Sequence, residues 1–169
     1  EQFKAATISR NVASVRAFFH FLLREKMVAA DVSENLKAPR VEKKAPGVLS
    51  MEEVEKLLEQ PGRENPKEIR DRAMLELLYA TGIRVSELIG LTMEDVNMQM
   101  SYIICHDRTR ERAVPFGSKA REALTEYFFK ARSSMLKDPE ERALFVNCSG
   151  KPMSRQGFWK VLKGYAASA

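Results

Sequence analysis

The chain has 169 residues, of which 44% are hydrophobic and 30% are charged, and its formal net charge is +5. That length suits one domain or one and a part, and the lack of any long apolar run excludes a membrane-spanning protein. Cys105 and Cys148 lack the spacing of metal ligands, so we expect a reduced, cytoplasmic protein without a metal site. The start at Glu1, without an initiator Met or a signal-peptide pattern, predicts a piece of a longer protein.

The charge is unevenly distributed along the chain. The net charge is +4 over residues 1–48, −5 over residues 49–104 and +6 over residues 105–169. Two basic ends around an acidic middle are typical of two surfaces that grip one polyanion. Solvated helix faces give a similar pattern, so the charge distribution alone leaves both interpretations open.

The first predicted element is an amphipathic helix over residues 7–26, with apolar residues at helical spacing on one side. Its opposite face carries Arg10 and Arg16 among short polar side chains, which fits either a DNA-contacting face or an ordinary solvent face. Residues 31–36 predict a short helix that closes this part of the chain.

A basic linker follows over residues 39–48. It contains two prolines and a glycine, together with Lys43 and Lys44, and this composition favours an extended, solvated segment. Lysines in such a segment can cross a DNA backbone and contribute non-specific, salt-sensitive affinity.

Capping signals organise the middle of the chain. Ser50 and Glu53 form a capping box that predicts a helix over residues 54–60. Pro66 suits the first turn of the next helix, and Gly82 suits a left-handed cap at its end. Arg84, two residues after Gly82, lies at the start of a second helical run, and its planar guanidinium can bind phosphate.

The remaining elements predict a fold that is mainly α with a small three-stranded antiparallel sheet. A helix capped by Ser118 is expected to run to about Arg132, and Ser154 is expected to cap the last helix. The three strand candidates are residues 102–106, 112–116 and 143–147, with the tip of a hairpin at residues 107–111.

Residues 70–88 read RDRAMLELLYATGIRVSEL, which resembles the first catalytic-arginine box of tyrosine recombinases of the bacterial Xer type. The resemblance extends from about Thr7 to the end of the chain. It implies the last part of a helical core-binding domain over residues 1–38, a linker over residues 39–48, and the N-terminal portion of a catalytic domain over residues 49–169.

The resemblance also implies a reaction. Members of this family cut double-stranded DNA by attack of a tyrosine on a phosphodiester, which leaves a 3′-phosphotyrosine, and they need no metal or nucleotide cofactor. Arg84 matches the first catalytic arginine, and Glu87, three residues later on the same helical face, matches an acid that steadies the site. The full-length protein is expected to act as a homo- or hetero-oligomer, a tetramer on DNA.

The hairpin departs from the family pattern. The family places a proton-donating lysine at its tip, whereas this chain has no lysine between Arg84 and Lys119. Counting forward from the arginine box puts Arg108 in that place, and counting back from the second strand puts Asp107 there. Three possibilities stay open: Arg108 substitutes imperfectly, His106 donates the proton instead, or the protein is slow or inactive. Arginine is a poor proton donor because its pKa is above about 12.

Several residues are candidates for DNA contact. Arg155 and Gln156, in the first turn of the last helix, can reach base edges, with Arg preferring guanine and Gln adenine. The alternative is a capped surface helix with Phe158 and Trp159 in the core. The full set of candidate DNA-binding residues is Arg10, Arg16, Lys43, Lys44, Arg110, Arg155 and Gln156.

The nucleophile and the family's second arginine box are expected beyond Ala169, so the fragment alone is predicted to be inactive. Tyr165 lies in the apolar stripe of the last helix, and Tyr79 and Tyr102 are also interpreted as packing residues. Two other functions compete with the recombinase interpretation: a DNA-binding module without catalysis, which the missing lysine favours, and a helical interaction domain without a nucleic-acid role. The sequence leaves open whether the protein resolves chromosome dimers or integrates mobile elements.

Overall fold

The computed structural model describes residues 3–42, 45, 47–106 and 110–169. The chain forms two compact units, Glu1–Val48 and Leu49–Ala169. Among the described residues, no helix combines the length and the apolar character needed to cross a membrane. The helices are α1 Ala5–Arg24, α2 Met51–Glu59, α3 Pro66–Thr81, α4 Val85–Gly90, α5 Ser118–Glu126, α6 Ser133–Met135 and α7 Arg155–Ala166.

The first unit contains α1, which begins two residues earlier than predicted and has no buried residue. The short helix predicted over residues 31–36 is wrong: residues 32–35 form a turn. The carboxylate of Asp31 accepts hydrogen bonds from the backbone N–H of Ser33 at 2.8 Å and from its hydroxyl at 2.6 Å. Such a local side-chain bond offers the backbone an alternative to helix, which explains the difference.

The second unit begins with the helices whose caps the sequence predicts. The Ser50 hydroxyl accepts the N–H of Glu53 at 3.2 Å, and the Glu53 carboxylate accepts the N–H of Ser50 at 2.7 Å, which confirms the capping box. Pro66 occupies the first turn of α3, and Gly82 ends that helix with φ at 61°, in the left-handed region. Both predictions are therefore confirmed.

Helix α3 is the centre of the fold and carries eight buried residues. Three of them are charged: Arg70 is 1% exposed, Asp71 is 0% exposed and Glu76 is 6% exposed. The Nε of Arg70 donates to the Asp71 carboxylate at 2.8 Å, and its Nη1 donates to the carbonyl of Val146 at 3.0 Å. The hydroxyl of Tyr165 on α7 donates to the other carboxylate oxygen of Asp71 at 3.1 Å. This buried network ties α3 to α7 and to the segment before it.

The sheet has three antiparallel strands in the order β1–β2–β3, as the predicted fold class requires. The third member is β1, Val96–Asn97, and the prediction of a strand at residues 143–147 is wrong. That segment makes only isolated bridges, Thr92 with Ala143 and Val146 with Pro152. The other two strands are β2 Tyr102–His106 and β3 Glu111–Pro115.

A side chain from another element holds residues 141–144 in place. The Nη2 of Arg132 donates to the carbonyls of Glu141 and Ala143, each at 2.8 Å, and its Nε donates to that of Leu144 at 3.4 Å. Helix α5 leads to this arginine through a π-helical turn, Tyr127–Arg132. The predicted cap at Ser118 is wrong by one residue, because Gly117 occupies the cap position and provides no side-chain bond.

Candidate active site

Arg84 stands where α3 gives way to α4. Gly82 ends α3, and Arg84 then adopts an extended backbone, φ −70° and ψ 148°, as the residue immediately before α4. This conformation leaves its side chain 71% exposed at the start of the helix. A guanidinium in this position has room to receive an anionic ligand.

Glu87 is the acidic partner of this arginine, although its principal bonds go elsewhere. Its carboxylate accepts the backbone N–H of Arg84 at 2.8 Å, but the Arg84 guanidinium lies 3.5 Å away. Arg112 on β3 instead binds Glu87 with two parallel bonds, at 2.8 and 3.0 Å. The bonds from Arg112, followed by the one from the Arg84 N–H, lower the pKa of Glu87 to about 2.

Arg84 and Arg112 therefore make different contacts with Glu87. Glu87 is 8% exposed and stays ionised, and its bidentate pairing with Arg112 joins α4 to the hairpin. Glu87 holds the backbone of Arg84, while the Arg84 side chain remains largely exposed. The two side chains also form an ion pair, with 3.5 Å between Nη1 of Arg84 and Oε1 of Glu87.

A concave pocket opens beside Arg84, and His106 at the end of β2 contributes to its wall. The Nε2 of His106 lies 2.7 Å from the Asp95 carboxylate, and its Nδ1 lies 3.0 Å from Glu111. The hydrogen bond to Asp95 is the main cause of a raised His106 pKa. The residues that line the pocket are Arg84, Ser86, Glu87, Gly90, Leu91 and His106.

Asp95 is itself held firmly. Its carboxylate accepts the backbone N–H of Thr92 at 2.7 Å and the hydroxyl of that residue at 2.8 Å. The side chain of Asp95 is 10% exposed, whereas that of Glu111 is 70% exposed. His106 is thus anchored on one side and bound to a solvent-exposed group on the other.

The hairpin tip lies partly outside the described residues. Asp107 and Arg108, the two candidates for the lysine's place, belong to that part of the chain. Arg110, a candidate DNA contact, is exposed just before β3.

Helix α7 places the predicted base-reading residues at its start. The Ser154 hydroxyl accepts the N–H of Gly157 at 3.0 Å and confirms the predicted cap. Arg155 and Gln156 are both exposed in the first turn. The alternative interpretation, a surface helix with both Phe158 and Trp159 in the core, is correct for Phe158, which is buried. It is wrong for Trp159, which is 55% exposed.

The candidate contacts of the first unit are placed only in part. Arg10 is exposed on α1, and Arg16 is partly exposed and donates to the backbone carbonyl of Glu34 at 3.1 Å. Lys43 and Lys44 of the linker lie outside the described residues.

The tyrosines differ in their surroundings. Tyr165 is bound to Asp71, and its burial together with the nearby carboxylate raises the pKa of its hydroxyl, which therefore stays protonated. Tyr102 is partly buried in the sheet and lies 3.4 Å from the Asn97 amide. The interpretation of Tyr79 as a packing residue is wrong, since it is 52% exposed.

Sequence reasoning missed three residues of this region: Arg112, Asp95 and Glu111. A signal existed for Glu111, because the antiparallel register places it directly opposite His106. Arg112 is 25 positions from Glu87, and no local pattern links the two residues.

Comparison with known proteins gives a consistent result. The family model of the phage integrase family matches residues 47–169. The tyrosine recombinase XerD of Halalkalibacterium halodurans is 46% identical over 168 residues, which cover 98% of this chain and 56% of that protein. The chain therefore spans little more than half the length of this relative.

Solved structures share the fold at lower sequence identity. The XerH site-specific recombinase bound to difH substrate, in a pre-cleavage complex, aligns with a TM-score of 0.72 and 18% identity over 99% of this chain and 50% of that one. The Tn1549 transposon integrase in complex with circular intermediate DNA aligns with a TM-score of 0.70 and 20% identity, covering 99% of this chain and 60% of that one.

Proposed function

This chain belongs to the phage integrase family, among the tyrosine recombinases of the Xer type, and from that membership we propose that the full-length protein performs site-specific recombination of double-stranded DNA. Strand cleavage proceeds through a 3′-phosphotyrosine, whose formation conserves the energy of the broken phosphodiester bond. The tyrosine comes from the part of the protein outside this chain.

The observation that carries the proposal is the exposed guanidinium of Arg84 beside a pocket. Phosphoryl transfer requires neutralisation of the charge on the non-bridging oxygens in the transition state. Arg84 is 71% exposed and anchored through its backbone to Glu87, so its guanidinium can bind those oxygens without leaving its place. Glu87 acts by positioning Arg84 and Arg112.

The remaining candidate residues contribute to DNA binding. Arg108, which counting forward from the arginine box puts in the place of the family's lysine, is a further candidate for binding phosphate, since arginine binds phosphate well but releases its proton poorly. Arg155 and Gln156 contact base edges from the exposed start of α7. The contacts to the DNA backbone come from Arg10, Arg16, Lys43, Lys44 and Arg110.

The assembly and the compartment complete the proposal. Four protomers, identical or of two kinds, act together on paired DNA sites, as an exchange of strands between two duplexes requires. The reaction takes place in the cytoplasm, which suits the two free cysteines, Cys105 and Cys148. No metal or nucleotide takes part in the reaction.

The test is a covalent trap. The full-length protein first selects its site from random-sequence duplex DNA. The selected duplex is then nicked close to the cleavage point, so that the 5′ fragment diffuses away and religation is prevented. We expect a protein–DNA adduct that survives denaturing electrophoresis and disappears after protease treatment.

A selected duplex that the protein shifts in a native gel but never joins covalently would overturn the proposal. That result would leave a DNA-binding protein without strand cleavage. Absence of selective binding, with an affinity that does not fall as salt is raised, would remove the nucleic-acid role altogether.

A further inference from the structure

We propose that His106 is the general acid that protonates the leaving 5′-oxygen in this protein, in place of the lysine that the hairpin lacks. The inference rests on the proposed recombinase function. His106 lines the same pocket as Arg84, and the inference identifies it as the group that supplies the proton.

The position of His106 supports this role. Its side chain is 52% exposed at the end of β2 and lines the same pocket as Arg84 and Glu87. A phosphate bound by Arg84 in that pocket therefore shares the pocket with the imidazole. Proton donation needs a group within hydrogen-bond reach of the leaving oxygen, and His106 is the one titratable side chain other than Arg84 and Glu87 among the described residues that line this pocket.

The hydrogen bonds of His106 divide its two nitrogens between different tasks. Nε2 is anchored by Asp95 at 2.7 Å, and Asp95 is fixed by two bonds from Thr92. A buried carboxylate that holds one imidazole nitrogen orients the ring and stabilises its protonated form, as in catalytic triads. Nδ1 faces Glu111, whose side chain is 70% exposed and can turn away into solvent. Nδ1 is therefore the nitrogen that can transfer a proton.

The surroundings of His106 favour the protonated form of its ring. Asp95 and Glu111 contact it directly, and Arg84 and Glu87 lie across the pocket. The bond from Asp95, strengthened by the charges of both carboxylates, raises the pKa of His106 above its ordinary value. Arginine at the hairpin tip cannot match this, because its pKa above about 12 makes it a weak acid.

The proton of His106 moves in the same step that cleaves the strand. A bond forms between the tyrosyl oxygen and phosphorus while the bond between phosphorus and O5′ breaks, and the electron pair of that bond passes to O5′. The proton on Nδ1 of His106 moves to O5′, and the proton of the attacking tyrosine leaves to solvent. In religation the neutral imidazole takes the proton of the incoming 5′-hydroxyl, which restores the protonated ring. The bond between O5′ and phosphorus forms while the bond between phosphorus and the tyrosyl oxygen breaks, and the tyrosine regains its proton from solvent.

The test uses a leaving group that needs no proton. The full-length protein is compared with its His106→Gln variant on two nicked duplexes of the selected sequence, one with oxygen and one with sulfur at the bridging 5′ position. A thiolate leaves without protonation because a thiol is far more acidic than an alcohol. We expect the variant to cleave the oxygen substrate about 10²–10⁴-fold more slowly and the sulfur substrate at the rate of the unsubstituted protein.

Two variants serve as matched controls. His20, the other of the two histidines in the chain, also contacts a carboxylate, Asp31 at 2.8 Å, but lies on α1. His20→Gln is expected to cleave both substrates at the unsubstituted rate. Arg84→Ala is expected to be slow on both, because sulfur does not replace the charge of the guanidinium.

The possible results test the role of His106 separately from the proposed recombinase function. Full cleavage of the oxygen substrate by His106→Gln, or an equal loss on both substrates, would overturn the role of His106 as proton donor and leave the recombinase function standing. Failure of the unsubstituted protein to form an adduct with either substrate would overturn the proposed function, and this inference with it. Restoration by sulfur alone supports the inference and shows that the variant is folded.

Discussion

Two arginine–carboxylate pairs lie close together in the sequence and behave in opposite ways. Arg70 and Asp71 are buried side by side in α3, at 1% and 0% exposure. Arg84 and Glu87, at the start of α4, are 71% and 8% exposed in their side chains. The same two kinds of side chain thus form a structural network in one place and an open site in the other.

The difference lies in where the guanidinium hydrogen bonds go. The donors of Arg70 are directed at Asp71 and the Val146 carbonyl, so the side chain is committed to the fold. At the second pair, Arg112 takes both oxygens of Glu87 and leaves the Arg84 guanidinium at 3.5 Å. Arg84 therefore makes only one long side-chain bond to its acidic neighbour, and most of its donors remain exposed to a ligand.

The largest expected effect comes from removing the exposed arginine. Arg84→Ala in the full-length protein is expected to reduce the cleavage rate by about 10³–10⁵-fold, because the transition-state charge loses its clamp. Affinity for the selected duplex is expected to change little, since many other contacts bind the DNA. The measurements are adduct formation in single-turnover reactions and binding by titration.

Arg142→Ala is the control for this change. Arg142 pairs with Glu94 at 3.5 Å, and both side chains are about three-quarters exposed. We expect unchanged cleavage from that variant. A cleaving Arg84→Ala protein would contradict the assignment of the open site.

The buried pair is expected to show its largest effect in stability. Asp71→Asn leaves the Arg70 guanidinium buried without a counter-charge, which costs about 3–5 kcal/mol when one partner of a buried pair is removed. The free energy of unfolding, measured with urea and circular dichroism, gives the value. Glu94→Gln, at the exposed pair with Arg142, is the control and is expected to cost at most about 1 kcal/mol.

An intermediate effect is expected at Arg112, which binds Glu87 with two hydrogen bonds. Arg112→Leu removes two charge-assisted bonds from Glu87 and is expected to destabilise the protein by about 1.5–3 kcal/mol at neutral pH. It also removes the main cause of the lowered Glu87 pKa, which is expected to rise from about 2. Carboxyl titration by NMR measures this shift.

The pH dependence follows from the sign of that shift. Glu87 has a lower pKa in the folded than in the unfolded protein, so its contribution to stability is present above its ordinary pKa of 4.5 and is lost as the pH falls through about 2. In Arg112→Leu the contribution is smaller, and its loss is complete at a higher pH because the pKa of Glu87 in the folded protein is higher. An unchanged Glu87 titration in that variant would show that Arg112 is not the controlling partner.

The comparison also shows which features the sequence could predict. Local chemistry was sufficient for the capping box of Ser50 and Glu53, for the left-handed cap at Gly82 and for the position of Arg84 at the start of α4, because each depends on neighbours within a few residues. The family resemblance of residues 70–88 supplied the expected role of the arginine.

Features that depend on distant partners were missed. The apolar segment 143–147 has the composition of a strand, but the guanidinium of Arg132 takes the carbonyls of residues 141, 143 and 144, and the segment makes only isolated bridges. The actual third strand, Val96–Asn97, is two residues long and too short for a periodic pattern. The pairing of Arg112 with Glu87 likewise depends on the folded hairpin.

The smallest expected effect concerns the tyrosine that joins the buried pair. Tyr165→Phe removes one hydrogen bond to Asp71, 3.1 Å long, and leaves the ring in place. We expect a loss of about 0.5–1.5 kcal/mol in the free energy of unfolding, because Asp71 keeps its bonds from Arg70. In the full-length protein the same variant is expected to form the covalent adduct at the unsubstituted rate, since a hydroxyl bound to a buried carboxylate is structural. Loss of the adduct with unchanged stability would instead identify Tyr165 as a nucleophile and place the buried pair in the catalytic machinery.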